Sequence, residues 1–199
     1  KLYKNKHMPT LTATNSLSTK LATIKPHIGN TPLLRIEGFH DNENVQIFAK
    51  LEWKQLSGSV KARAAYNIIK NAILENKLTP DKILLDASSG NTGIAYATIG
   101  KKIGLNVTIL LPENASSERK NILKSLGAEI IYTSKFGGTD EAQDAAKELA
   151  ERYPEKYFYA DQYSNENNWK AHYHGTAEEI IHEKPQLDYF IAGLGTTGT

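Results

Sequence analysis

Residues 82–103 read Lys82-Ile-Leu-Leu-Asp86-Ala-Ser-Ser-Gly90-Asn-Thr-Gly-Ile-Ala-Tyr-Ala-Thr-Ile-Gly-Lys-Lys-Ile103. A short apolar run at 82–86 predicts a strand, and the pattern from Asn91 to Ile103 predicts a helix. Between them lies a loop at the strand's carboxyl end, where open α/β sheets bind ligands. Two serines, an asparagine, a threonine and two glycines fill positions 88–93. Ser and Asn are common helix caps, so a plain cap is the competing reading. Six such residues exceed what a cap needs. Hydroxyls and backbone N–H groups at a helix start suit an anion, and a carboxylate fits that geometry.

The same alternation extends in both directions. Strands are predicted at 46–51, 106–111 (ended by Pro112), 129–133, 156–160 and 187–192. Helices are predicted at 59–76, 116–126 (stopped by Gly127), 140–152 (capped by Thr139) and 165–182. In the first of these helices Val60, Ala64, Ile68 and Ala72 repeat every helical turn. Strands joined by helices of this length pair in parallel, with helices on both faces, so the expected class is α/β. No Pro/Gly-rich linker interrupts the alternation.

Composition excludes several functions. The 199 residues are enough for one large or two small domains. A net charge of +2 is too small to argue for nucleic acid or an anionic membrane surface. With no cysteine there is neither a disulfide framework nor a thiolate site. No apolar run approaches the ~20 residues of a membrane span. The polar segment Lys1–Lys20 lacks a signal-peptide core and reads as an arm or a partly ordered tail.

Lys61 follows Ser57-Gly-Ser-Val60 at the start of a predicted helix. An ammonium there opposes the helix dipole, which lowers its pKa and suits a nucleophilic or Schiff-base amine. The bland reading, one surface lysine among 24 Lys+Arg, has only position against it. The last strand runs into Gly193-Leu-Gly-Thr-Thr-Gly-Thr199. Its glycines match G-x-G-x-x-G, but a dinucleotide reading needs an acidic residue about 20 positions further on. The threonines instead suit a phosphate monoester cupped by backbone amides. A glycine loop after a strand should open a helix, so the sequence is expected to be part of a longer polypeptide. Gln162 follows a short strand and could offer its amide to a ligand. His172 and His174 lie two residues apart, on different helix faces, which argues against a metal pair.

Taken together, Gly29-Asn-Thr-Pro-Leu33, Ser57-Gly-Ser-Val-Lys61, Ser88-Ser-Gly-Asn-Thr-Gly93, Leu111-Pro-Glu-Asn114 and Gly195-Thr-Thr-Gly-Thr199 resemble the cysteine synthase family of pyridoxal-phosphate enzymes, the β-replacing fold-type II group. The resemblance runs from about Ile28 to Thr199. It implies a tryptophan synthase β-like fold of two three-layer αβα domains with mostly parallel sheets. Residues 1–50 would be an arm and the start of the large domain, 51–158 the small domain, and 159–199 the return to an incomplete large domain. By the same resemblance Lys61 would be the Schiff-base and general-base lysine of pyridoxal 5'-phosphate. Asn91 would bond the cofactor's ring oxygen, and Gly195, Thr196, Thr197, Gly198 and Thr199 would cradle its phosphate. Ser88, Ser89, Gly90, Thr92 and Gln162 would hold the substrate α-carboxylate, and the pyridine-nitrogen partner would lie beyond residue 199.

The implied reaction is β-replacement on O-acetylserine or O-phosphoserine by a sulfide donor, in a cytoplasmic homodimer, without metal, nucleic acid or membrane. Thr197, Pro112-Glu-Asn114 and Glu118-Arg119 lean toward the O-phosphoserine branch. Gln55-Leu56 and Ala62 depart from the family's Asn-Pro and Asp at those positions. A serine/threonine dehydratase, a cystathionine β-synthase-like enzyme and a non-catalytic interaction or regulatory fragment remain the alternatives.

Overall fold

A computed structural model describes residues 11–88 and 90–199. Helix α1 spans Leu11–Ile24 and leads through a short 3-10 turn to β1 (Leu33–Ile36), which pairs antiparallel with β2 (Ile47–Lys50). Then come α2 (Lys61–Leu74), β3 (Ile83–Ala87), α3 (Asn91–Ile103), β4 (Val107–Pro112), α4 (Ser117–Ser125), β5 (Glu129–Thr133), α5 (Gly138–Arg152) and β6 (Tyr157–Tyr159). The chain continues through α6 (Asn167–Ala171), a π-helical turn (His172–Ala177) and α7 (Glu178–Glu183). β3 to β6 form one parallel sheet in the order β5-β4-β3-β6.

Alternation along these strands builds a three-layer αβα sandwich, as the period of two requires. Leu84, Ile109 and Leu111 pack on one face against Ile68 and Ile69 of α2, Tyr96 and Ile99 of α3, and Leu123 of α4. Their neighbours Leu85, Ala87 and Leu110 face the other way, where Ala142 and Ala146 of α5 cover them. The sandwich is the expected α/β arrangement with a parallel sheet, and α3 and β5 occupy the predicted residues.

Four expectations need correction. Residues 11–20 of the supposed tail are helical; Leu17, Leu21 and Ile24 are buried in the same core as Tyr96 and Ile109. Residues 1–10 lie outside the described set. The 187–192 segment forms no strand with any described residue, and Tyr189 and Ile191 are almost wholly exposed. Thr139 does not cap α5: the helix begins one residue earlier and has no side-chain cap. The single helix predicted at 165–182 is interrupted by the π turn, within which His172 Nδ1 lies 3.0 Å from Thr176 Oγ1.

Because α1 closes the core, Leu21→Ala in the full-length protein should cost about 2–5 kcal/mol by urea denaturation. A cost near zero would return this segment to the status of a tail.

Candidate active site

β3 and β6 are adjacent and parallel, so the loops after both leave the sheet at one edge. That places Gln162 against the loop that opens α3. Gln162 N donates to Asp86 Oδ2 (3.3 Å), and its Nε2 donates to Ala87 O (3.3 Å). Ser88 Oγ accepts from Gly90 N (3.3 Å) and Gly93 N (3.1 Å), so its acceptor side does hold the helix start. Its own proton is left to donate elsewhere. Thr92 is buried, Gly90 half-buried and Asn91 exposed, while Ser89 lies outside the described residues. The predicted carboxylate loop and Gln162 are therefore brought together.

Lys61 is the first residue of α2 and is half-buried. Burial lowers the pKa of its amine, a different cause from the dipole argument made on sequence. Ser57 Oγ and Ser59 Oγ beside it in sequence are buried without hydrogen-bond partners among the described residues. His172 is buried, and its Nε2 lacks a hydrogen-bond partner among the described residues. Burial first, then the charges of Lys61 and Arg63, pushes its pKa down to about 4, so the ring stays neutral. His174 is exposed, on another face, as the two-residue spacing requires.

Asn168 joins the terminal loop to this edge. Its Nδ2 donates to Gln162 O (2.7 Å) and to Thr196 Oγ1 (2.9 Å). Thr196 and Gly198 are partly covered; Gly195, Thr197 and Thr199 are exposed. A side chain at 198 would overlap Asn168 Oδ1 and would have to push that amide aside. Sequence reasoning missed Asn168. The available signal was its spacing: Asn168, His172 and Thr176 recur one turn apart and are all buried.

Arg63, two residues beyond Lys61, was passed over inside its motif. Its Nε and Nη2 donate to Glu52 (both 2.8 Å), and Nη1 and Nη2 donate to Glu179 (both 2.7 Å). Burial alone would raise the pKa of Glu179, but Arg63 and the Asn30 N–H hold it at about 2. Gln55, a departure from the family pattern, belongs to the same network: it accepts from Gly29 N (2.9 Å) and donates to Glu52 (3.0 Å). Gly29, at φ 81°, has no room for a Cβ, which would come within 2.8 Å of Glu179 Oε1.

The fold and site define an α/β protein whose loops gather at the carboxyl edge of a parallel sheet, with a half-buried lysine amine within electrostatic reach of His172. Residues 24–199 match the family model described as "Pyridoxal-phosphate dependent enzyme", and the chain belongs to that family. It is 44% identical over 181 residues to a cysteine synthase of Aquifex aeolicus (strain VF5), covering 89% of this chain and 55% of that protein. A solved hydrogen sulfide-producing enzyme from Fusobacterium nucleatum superposes with a TM-score of 0.84 at 36% identity, over 90% of this chain and 55% of that one. An O-acetylserine dependent cystathionine β-synthase from Helicobacter pylori gives 0.81 at 34% identity, over 88% and 58%. The chain thus spans a little over half the length of the relatives it matches.

The family's cofactor is pyridoxal phosphate, and the residues fit it. Lys61 makes no hydrogen bond or ion pair among the described residues, leaving an amine for an aldehyde. Gly193 and Gly195 face open space where a Cβ would stand, and the threonines between and after the glycines supply hydroxyls.

Two predictions follow from the electrostatics. Asp86 is fully buried; burial raises its carboxyl, and the Ala87 and Gln162 N–H groups leave it at about 7. A raised folded pKa means stability is lost as pH climbs from the unfolded carboxyl value toward about 7. His172, lowered to about 4, has the opposite sign: stability is lost as pH falls from the ordinary imidazole value toward about 4. Relative to wild type, Asp86→Asn should tilt stability upward with pH, and His172→Gln downward. Each tilt is at most about 1.4 kcal/mol per pH unit in urea titrations between these values. Tilts of the same sign would refute the assignment. Arg63→Met should cost about 3–5 kcal/mol at neutral pH by leaving Glu52 without its cation and Glu179 with Lys50 alone. That cost should shrink toward about pH 4, where the stranded carboxylates take up protons; a pH-independent cost would contradict the network's charge.

Proposed function

We propose that the full-length protein is a cysteine synthase that replaces the β-substituent of O-acetylserine or O-phosphoserine with sulfide. The observation that carries this reading is the half-buried Lys61 amine at the start of α2, without a hydrogen bond or ion pair among the described residues, together with the gathered loops. The names of the cysteine synthase and hydrogen sulfide-producing relatives support it.

Bound pyridoxal phosphate supplies the electron sink that acidifies the substrate Cα–H. In this reading Lys61 Nζ anchors the cofactor, and once freed it takes the Cα proton. Burial favours the neutral amine that this base role needs. Ser88, Ser89, Gly90, Thr92 and Gln162 hold the α-carboxylate, which fixes the direction of the Cα–H bond. Asn91 bonds the ring oxygen, and residues 195–199 hold the phosphate. Across the reaction the Cβ–O bond to acetate or phosphate breaks and a Cβ–S bond forms.

A second reading, condensation with homocysteine, is favoured by the likeness to the O-acetylserine dependent cystathionine β-synthase. We also assign the protein to a cytoplasmic homodimer. Among the described residues no helix is long and apolar enough to cross a membrane. The division into 1–50, 51–158 and 159–199 belongs to the same proposal; the four-stranded sheet at 83–159 supports it.

Lys61→Ala in the full-length protein should fold normally and lose at least about a hundredfold to ten-thousandfold in kcat. The assay follows cysteine formed from either donor with sulfide. Retained turnover would remove Lys61 from the chemistry. Pyruvate formed regardless of sulfide would indicate a dehydratase, and cystathionine formed in preference to cysteine would favour the second reading.

A further inference from the structure

Asn168 is buried on α6, outside the five motifs that carry the family resemblance. Its two amide protons have separate destinations. One goes to the backbone carbonyl of Gln162 (2.7 Å), whose side chain bonds Ala87 at the end of β3, where the loop to α3 begins. The other goes to the Thr196 hydroxyl (2.9 Å) in the terminal glycine loop. A hydroxyl that accepts at its oxygen keeps its own proton to donate, so this bond turns the Thr196 O–H away from Asn168. Among the described residues Asn168 Oδ1 has no partner, and it lies where any side chain at 198 would sit. One planar amide therefore ties residue 162 to residue 196, with Gly198 lying close against its oxygen. Truncating it would leave a buried carbonyl without that partner and free the hydroxyl to rotate.

We propose that Asn168 is a positioning residue that couples the carboxylate-binding side of the site to the phosphate-binding loop. The inference rests on the reading of those two loops given above. It adds that they are not independent: disturbing one through Asn168 disturbs the other.

The test titrates the full-length apoprotein with pyridoxal phosphate and with pyridoxal, which lacks the phosphate. It then measures donor KM and kcat at saturating cofactor. Asn168→Ala should weaken pyridoxal phosphate about tenfold, leave pyridoxal nearly unchanged, and raise donor KM by a similar factor with little change in kcat. Thr196→Val breaks only one arm, so it should weaken pyridoxal phosphate without raising KM, and Thr196→Ser should restore the wild-type value. Gly198→Ala pushes on the amide from the phosphate side and should raise donor KM as well. That variant keeps the test decisive if Asn168→Ala does not fold. Unaltered donor KM in Gly198→Ala and Asn168→Ala, or equal losses of pyridoxal and pyridoxal phosphate, would overturn the coupling. Wild-type protein that takes up no pyridoxal phosphate would instead overturn the functional reading beneath it.

Discussion

The Arg63 guanidinium directs its N–H groups to Glu52, Glu179 and the Thr31 hydroxyl (3.1 Å), and so binds four distant segments into one body. Lys50 extends the cluster by pairing with Glu179 (3.1 Å) and Glu183 (2.7 Å). Buried ion clusters add little net stability over apolar packing, because removing charges from water is costly. Their strength lies in geometry: a planar fork bonded to two carboxylates tolerates few arrangements. This one lies two residues past Lys61. It pins the start of α2 against the Gly29–Thr31 turn on one side and α7 on the other. The cluster therefore fixes the backbone two residues beyond Lys61.

The second organising feature is a buried polar stripe. Asn168, His172 and Thr176 face inward from one side of the helical segment after β6, and the π turn carries two of them. π-helical turns are found disproportionately at functional sites. Here the turn brings a neutral imidazole within electrostatic reach of Lys61, while Asn168 reaches Gln162 and Thr196. Asp86 lies beneath the same edge with a carboxyl raised by burial. The site is thus floored by polar groups at each point where a loop needs a fixed partner.

Much of the sandwich was legible because period-two and helical patterns report burial directly. β5 and α3 matched their predicted residues, β3 and β4 began and ended one residue later, and β6 was one residue shorter at each end. The β1–β2 ladder was half seen: residues 46–51 read as a strand, but 33–36 did not. Helix α1 was missed although Leu17, Leu21 and Ile24 have helical spacing, because the surrounding Ser, Thr, Asn and Lys residues read as tail. The error at 187–192 ran the other way. An apolar run states that a segment can be buried, but a strand also needs a neighbour for its N–H and C=O groups.

The sequence by itself determined the α/β class, the strand–loop–helix units and the five motifs, since each depends on residues close together in the chain. Tertiary structure alone decided how the loops meet. Gln162 reaches Ala87 because β6 pairs with β3, a partnership that no local pattern encodes. Arg63, Asp86 and Asn168 each take one partner distant in sequence, Glu179, Gln162 and Thr196 respectively: a guanidinium, a carboxylate or an amide is only a surface group until the fold removes water and supplies its hydrogen bonds.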